Sequence, residues 1–193
     1  MQHRAYVNVF SLGLSFLLLG CAPSPVDSSP VPSSPTPESS AIDDLSKQLR
    51  PQPERGQYLP ISAQAQIKGQ LIQLEVATTP QQQSRGLMYR AALPDDRGML
   101  FPFSPARPVQ FWMRSVPVNL DMVFLREGRV EAIADSVPPC RRIDCPTYGP
   151  STAVDNVIEL RAGRAQELGL QVGDRVEIEF IEPIPNPQPV PSP

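Results

Sequence analysis

Histidine is almost missing from this sequence. The 193-residue chain has one, His3, and it falls in a segment read below as removed on export, so the mature protein is expected to have none. That excludes a Ser–His–Asp or Cys–His catalytic apparatus and any zinc site that needs imidazole. An excess of charge is missing too. Seventeen basic residues stand against 20 acidic ones, a formal net charge of −3, so the electrostatic footprint of a nucleic-acid binder is absent and no nucleic acid is expected as a partner. Long hydrophobic runs are lacking apart from Val7 to Leu19, about 13 residues, where an ordinary membrane span needs about 20. Cysteine is scarce, with three in all.

Proline is abundant, and its placement divides the chain. Of 25 prolines, nine fall in residues 22–60 and six in residues 183–193. Residues 22–60 also hold eight serines, a composition that buries too little apolar surface to offset the entropy of ordering. The reading is therefore a signal peptide over 1–20, a lipidated Cys21 with a Pro/Ser-rich tether over 21–60, one globular domain over 61–182, and a disordered Pro-rich tail over 183–193. The signal assignment rests on His3 and Arg4 at a basic start, the short apolar run, and the closing Leu18-Leu19-Gly20-Cys21. In a bacterial lipoprotein such a cysteine carries the lipid, and acyl chains anchor by roughly 0.8 kcal/mol per buried methylene. The expected location is the cell envelope, on its periplasmic or outer face, with the membrane as partner through the anchor.

In an exported protein Cys140 and Cys145 lie in an oxidising compartment, so a short-loop disulfide is expected. A C-x4-C spacing differs from the C-x-x-C of thioredoxin-type redox pairs.

Within the domain, Ala63–Lys68 and Leu71–Ala77 read as a hairpin turned at Gly69-Gln70. Thr79-Pro80-Gln81-Gln82 reads as a capped helix start, with the helix running to about Met88. Apolar runs at 98–103, 109–114, 120–125, 130–137, 156–161 and 175–181 supply further strands, with a helical turn at 162–168. The fold class expected is mostly β (α+β), a compact antiparallel barrel-like sheet of about seven or eight short strands with two short helices.

Five blocks of residues carry a family likeness: Glu75-Val-Ala-Thr-Thr-Pro80, Arg85-Gly-Leu-Met-Tyr-Arg90, Gly98-Met-Leu-Phe101, Phe111-Trp-Met-Arg114 and Asn119-Leu-Asp-Met-Val-Phe124. With the closing Ala162-Gly163 and Gly173-Asp174 signals, the likeness covers about Leu71 to Phe180. The chain resembles the domain-of-unknown-function family 192, also called uncharacterised protein family 0127. Members usually show asparagine where this chain has Ser115. The resemblance implies a small β-rich fold and no particular reaction.

Arg85, Arg90, Arg97, Arg107 and Arg114 cluster within 30 residues, opposed only by Asp95 and Asp96. Arginine forks bind carboxylates and phosphates in two-pronged contacts. The candidate binding surface is Arg85, Met88, Arg90, Trp112, Met113, Arg114 and Asp121, its ligand a small anion or a glycan, with Trp112 as a stacking surface. The competing reading pairs Asp121 with Arg85 or Arg114 inside the fold. The leading function is a lipid-anchored, non-enzymatic binding or scaffolding module, monomeric and without a cofactor. The alternative is a histidine-free hydrolase of an envelope glycan, with Asp121 and Glu75 or Glu159 as its carboxylates. The second alternative is a copper(I)-handling protein using thioethers of Met88, Met99, Met113 and Met122.

Overall fold

The computed structural model describes residues 55–186 apart from Ala92. Cys21, the signal segment, most of the tether and residues 187–193 lie outside the described residues. The elements in chain order are β1 (Ile61–Ile67), β2 (Gln70–Val76), α1 (Pro80–Arg85), β3 (Arg97–Arg107), β4 (Phe111–Trp112), β5 (Leu120–Arg126), β6 (Arg129–Val137), β7 (Thr147–Tyr148), β8 (Val154–Arg161), α2 (Arg164–Glu167) and β9 (Glu177–Ile184).

Seven strands form one sheet in the order β6-β5-β8-β3-β2-β1-β9, and β4 pairs with β7 in a separate two-stranded piece. The class is mostly β, a compact α+β fold, as expected. Two details differ from the expectation. The pair β2 and β3 is parallel, with Leu74 opposite Gly98 and Val76 opposite Leu100, because the chain passes through α1 between them and returns in the same direction. The sheet also stays open. Its ends approach where Val130 N–H donates to Asp174 O at 2.9 Å and Val176 N–H to Gly128 O at 2.8 Å, but β6 and β9 share no ladder and no barrel closes.

The central strands are buried on both sides, which explains their nearly unbroken apolar runs. Residue parity separates two cores. Leu100, Val123, Leu125, Ile158 and Leu160 face one, together with Ile72 and Leu74 of β2. Met99, Phe101, Met122, Phe124 and Val157 face the other, which Leu87, Val109, Met113 and Val116 cover from outside the sheet. Glu159 belongs to the second face by this alternation, lying opposite Met99 of β3 and Met122 of β5.

At the far edge, β9 runs through Pro183 to Ile184, which pairs with Ile61. The domain thus extends two residues beyond 182. An edge strand accepts proline because one side of its backbone needs no ladder partner, and the register shift between Ile61 and Ala63 lies opposite this stretch.

Candidate functional site

α1 begins as its sequence requires. The Thr79 hydroxyl accepts from Gln82 N–H at 3.2 Å, the Gln82 side chain accepts from Thr79 N–H at 3.0 Å, and Pro80 fills the first turn. The helix ends earlier than the Met88 expected, because Gly86 takes φ 44° and ψ −131°, a conformation open chiefly to glycine. Gln83 fastens the helix over β3 by donating to Ala77 O at 3.2 Å and Pro102 O at 2.9 Å. Tyr89 N–H donates to Ser115 O at 2.8 Å. This brings the Arg85–Arg90 turn beside the Phe111–Arg114 segment, the juxtaposition on which the candidate surface depends.

Between these two segments lies a pocket of about 390 Å³. Its walls include Phe101, Phe103, Phe111 and Trp112, with Gln83, Arg85, Met88 and Arg107 also lining it. Phe111 is the centre of the aromatic packing, meeting Phe101 edge to face at 5.0 Å between ring centroids, Phe103 at 6.4 Å and Phe124 at 6.0 Å. β7 holds it from the far side, with Tyr148 opposite Phe111 and Thr147 opposite Trp112. Arg107 stacks over Phe103 at 4.9 Å and Arg114 over Trp112 at 5.1 Å.

Glu159 lines this pocket from β8, in the middle of the sheet. Glu159 is 5% exposed, and its Oε2 is the only buried side-chain nitrogen or oxygen among the described residues that lacks a hydrogen-bond partner. Loss of hydration disfavours the charged form, and burial pushes its carboxyl up to about 8. At neutral pH the group is an uncharged acid.

The structure distributes the other candidate residues unevenly. Arg85, Met88 and Trp112 line the pocket. Arg114 is exposed beside it and donates to Ile143 O at 2.7 Å. Arg90 turns inward, where its Nη1 donates to both carboxylate oxygens of Glu75, at 2.6 and 2.8 Å, and its guanidinium lies 4.2 Å over the Tyr58 ring. Met113 is fully buried in the second core. Asp121 pairs with neither Arg85 nor Arg114. Its carboxylate accepts three backbone amides, Ser136 and Gly163 at Oδ1 and Ala165 at Oδ2, at 2.8 to 2.9 Å.

The same geometry bears on the two alternatives. Of the three carboxylates considered for hydrolysis, Glu75 is held by Arg90 and the Leu59 amide and Asp121 by backbone amides, which leaves Glu159 as the sole carboxyl lining the pocket among the described residues. Of the four thioethers considered for copper, Met99, Met113 and Met122 are fully buried in the second core and Met88 is partly buried against it. Cys140 and Cys145 form a disulfide, as expected.

Glu159 was read from sequence only as a hydrolytic carboxylate, and the phenylalanine walls were not singled out. A signal for both exists. A glutamate inside the run Val157-Ile-Glu-Leu160 interrupts a doubly buried strand, and the phenylalanines at 101, 103 and 111 line the same pocket. Ser115 has φ 60°, in the left-handed region that asparagine tolerates better than serine.

Among solved structures, the chain is similar to a candidate transcription regulator from Sinorhizobium meliloti 1021, with 32% identity and TM-score 0.57 over 63% of this chain and 97% of that one. It is also similar to a protein of unknown function from Novosphingobium aromaticivorans DSM 12444, with 31% identity and TM-score 0.55 over 61% of this chain and 84% of that one. No curated protein sequence matches it significantly. The model of the DUF192 family, described as "Uncharacterized ACR", matches residues 63–178. The arginine-glycine turn at 85–90, the aromatic strand after it and the fold that joins them are thus parts of a shared domain, and the chain belongs to the domain-of-unknown-function family 192.

Proposed function

We propose that the protein is a lipid-anchored, non-enzymatic binding module of the bacterial envelope, and that its ligand is a small organic anion seated in the pocket beside Phe111. The observation that carries this reading is an aromatic-walled pocket with arginines on its lining and an unpartnered buried carboxyl within it. Pockets of a few hundred Å³ with apolar walls and a few fixed polar groups are the usual form of a small-molecule site. Arg85 and Arg107 supply charge that favours an anion, and the rings of Phe103 and Trp112 supply flat apolar contact. Binding is favoured over hydrolysis because a glycosidase needs two carboxyl groups across its substrate, and the described residues lining this pocket include one. The regulator description of the S. meliloti relative is not carried over, since the net charge of −3 gives nucleic acid little to hold.

The test uses the full chain extracted from membranes in detergent. Small molecules released on denaturation are identified by mass spectrometry and compared with those from an Arg107→Ala variant. The expected result is an organic anion retained by the wild type and depleted in the variant. A protein that carries none, and whose single tryptophan, Trp112, does not respond to millimolar aromatic acids, would overturn the binding assignment. For the anchor, Cys21→Ser is expected to move the protein from the membrane to the soluble envelope fraction; retention in the membrane counts against it.

A further inference from the structure

We infer that the ligand carries a hydrogen-bond acceptor at its buried end, read by the carboxyl of Glu159, and its anionic group at the other end, against Arg85 and Arg107. The inference rests on the assignment of this pocket as the binding site and names the class of ligand that fits it: a flat apolar acid bearing a carbonyl or similar acceptor remote from its charge.

Glu159 lies on β8 between two strands that offer it no polar group, since its register partners are Met99 on β3 and Met122 on β5. The charged residues lining the pocket are Arg85, just before the turn at Gly86, and Arg107 at the end of β3. Arg85 donates instead to Arg55 O at 2.5 Å, and Arg107 stacks on Phe103. No ion pair among the described residues compensates the Glu159 carboxyl. Its burial keeps the proton on through neutral pH, with the carboxyl pushed up to about 8, so the group can act as an O–H donor.

A buried donor without a partner is unfavourable, and a ligand that supplies the partner removes that penalty. Discrimination of this kind exceeds what apolar walls achieve, because a ligand of the same shape without the acceptor leaves the donor unpaired. A cationic ligand in the same place would meet two guanidinium groups on the pocket lining and would require Glu159 to be charged in a dry site. The volume of about 390 Å³ suits one ring with two substituents.

Three probes separate the cases: 4-acetylbenzoate, which has an acceptor opposite its carboxylate; 4-ethylbenzoate, which has the shape without the acceptor; and 4-(aminomethyl)benzoate, which places an ammonium group there. Binding to the full chain is followed by calorimetry and Trp112 fluorescence at pH 6.5 and pH 9.5. The expected result is that 4-acetylbenzoate binds about tenfold tighter than 4-ethylbenzoate at pH 6.5 and loses that advantage at pH 9.5. Glu159→Gln, which keeps an N–H donor, is expected to hold 4-acetylbenzoate alike at both pH values. Equal binding of the first two probes, insensitive to pH, would overturn the inference and leave the pocket assignment standing. Preference for the ammonium probe would overturn it as well. Failure of all three to bind at millimolar concentration would remove the pocket assignment itself.

Discussion

Arg90 and Glu75 form a buried ion pair, with a single guanidinium nitrogen 2.6 and 2.8 Å from the two carboxylate oxygens. The side chains are 8% and 3% exposed. The pair also secures the chain entering the sheet, because Arg90 donates to Gln57 O at 3.2 Å and Glu75 accepts from Leu59 N–H at 2.8 Å. Removing one partner leaves the other charge buried and uncompensated, which typically costs about 3–5 kcal/mol. Arg90→Ala is therefore expected to lose about 3 kcal/mol in denaturant unfolding. Arg85→Ala, at an exposed position, is expected to change stability by no more than about 0.5 kcal/mol. Equal effects of the two changes would contradict the assignment of Arg90 to the interior.

Asp121 is expected to be structural. Its three backbone amides come from Ser136 at the end of β6 and from Gly163 and Ala165 around the start of α2, so one carboxylate joins two connections that the sheet leaves apart. Hydrogen bonds to a charged acceptor contribute about 1.5–3 kcal/mol each, and they act as a unit here. Asp121→Ala is expected to cost about 3 kcal/mol and Asp121→Asn less, since an amide oxygen still accepts. Binding of 4-acetylbenzoate by whatever fraction remains folded is expected to keep its wild-type affinity. A variant that melts normally and binds poorly would return Asp121 to the binding surface.

Glu159 makes stability depend on pH with a determined sign. Its folded value of about 8 lies above its ordinary value of 4.5, so between these limits the native state holds a proton that the unfolded chain has released. Stability then falls as pH rises from about 4.5 to about 8 and levels off above. Glu159→Gln is expected to remove this component, so the difference in stability between the two proteins, measured by urea unfolding at half-unit steps, should grow in favour of the variant across that window. Parallel curves would show that Glu159 titrates normally.

The disulfide closes a short loop, with a sequence separation of 5, for which the chain-entropy relation gives about 2 kcal/mol. Cys140 and Cys145 are expected to resist alkylation in the native protein until a dithiol reductant is added. Cys140→Ser is expected to lower stability by about 2 kcal/mol and to loosen the Arg114 contact with Ile143 O, which a change in Trp112 emission would report. Labelling of both thiols before reduction would count against the bridge.

Much of the fold was legible because it rests on local signals. The capping box at Thr79–Gln82 is read from four adjacent residues. The hairpin of β1 and β2 follows from alternation across Gly69-Gln70, and the turn between β5 and β6 follows from Glu127-Gly128, whose φ values of 52° and 73° suit a tight hairpin turn. The clustering of the Arg85 turn with the Trp112 segment was also readable from their shared residue types. The parallel pairing of β2 with β3 was not, since a crossover through α1 and a hairpin leave similar apolar runs. Nor was the burial of Arg90, because five arginines close together in sequence look alike until a partner as distant as Glu75 selects one.

The sequence by itself determined the capped start of α1, the two hairpin turns and the absence of histidine from the described residues, all of which depend on residue type and short-range order. Only the tertiary structure decided which charges have partners. Of the three carboxylates weighed for hydrolysis, on β2, β5 and β8, Glu75 received a guanidinium and a backbone amide, Asp121 three amides and Glu159 no partner among the described residues. That outcome depends on which side chains and backbone groups lie within about 3 Å of each oxygen, a property of strands brought together from distant parts of the chain.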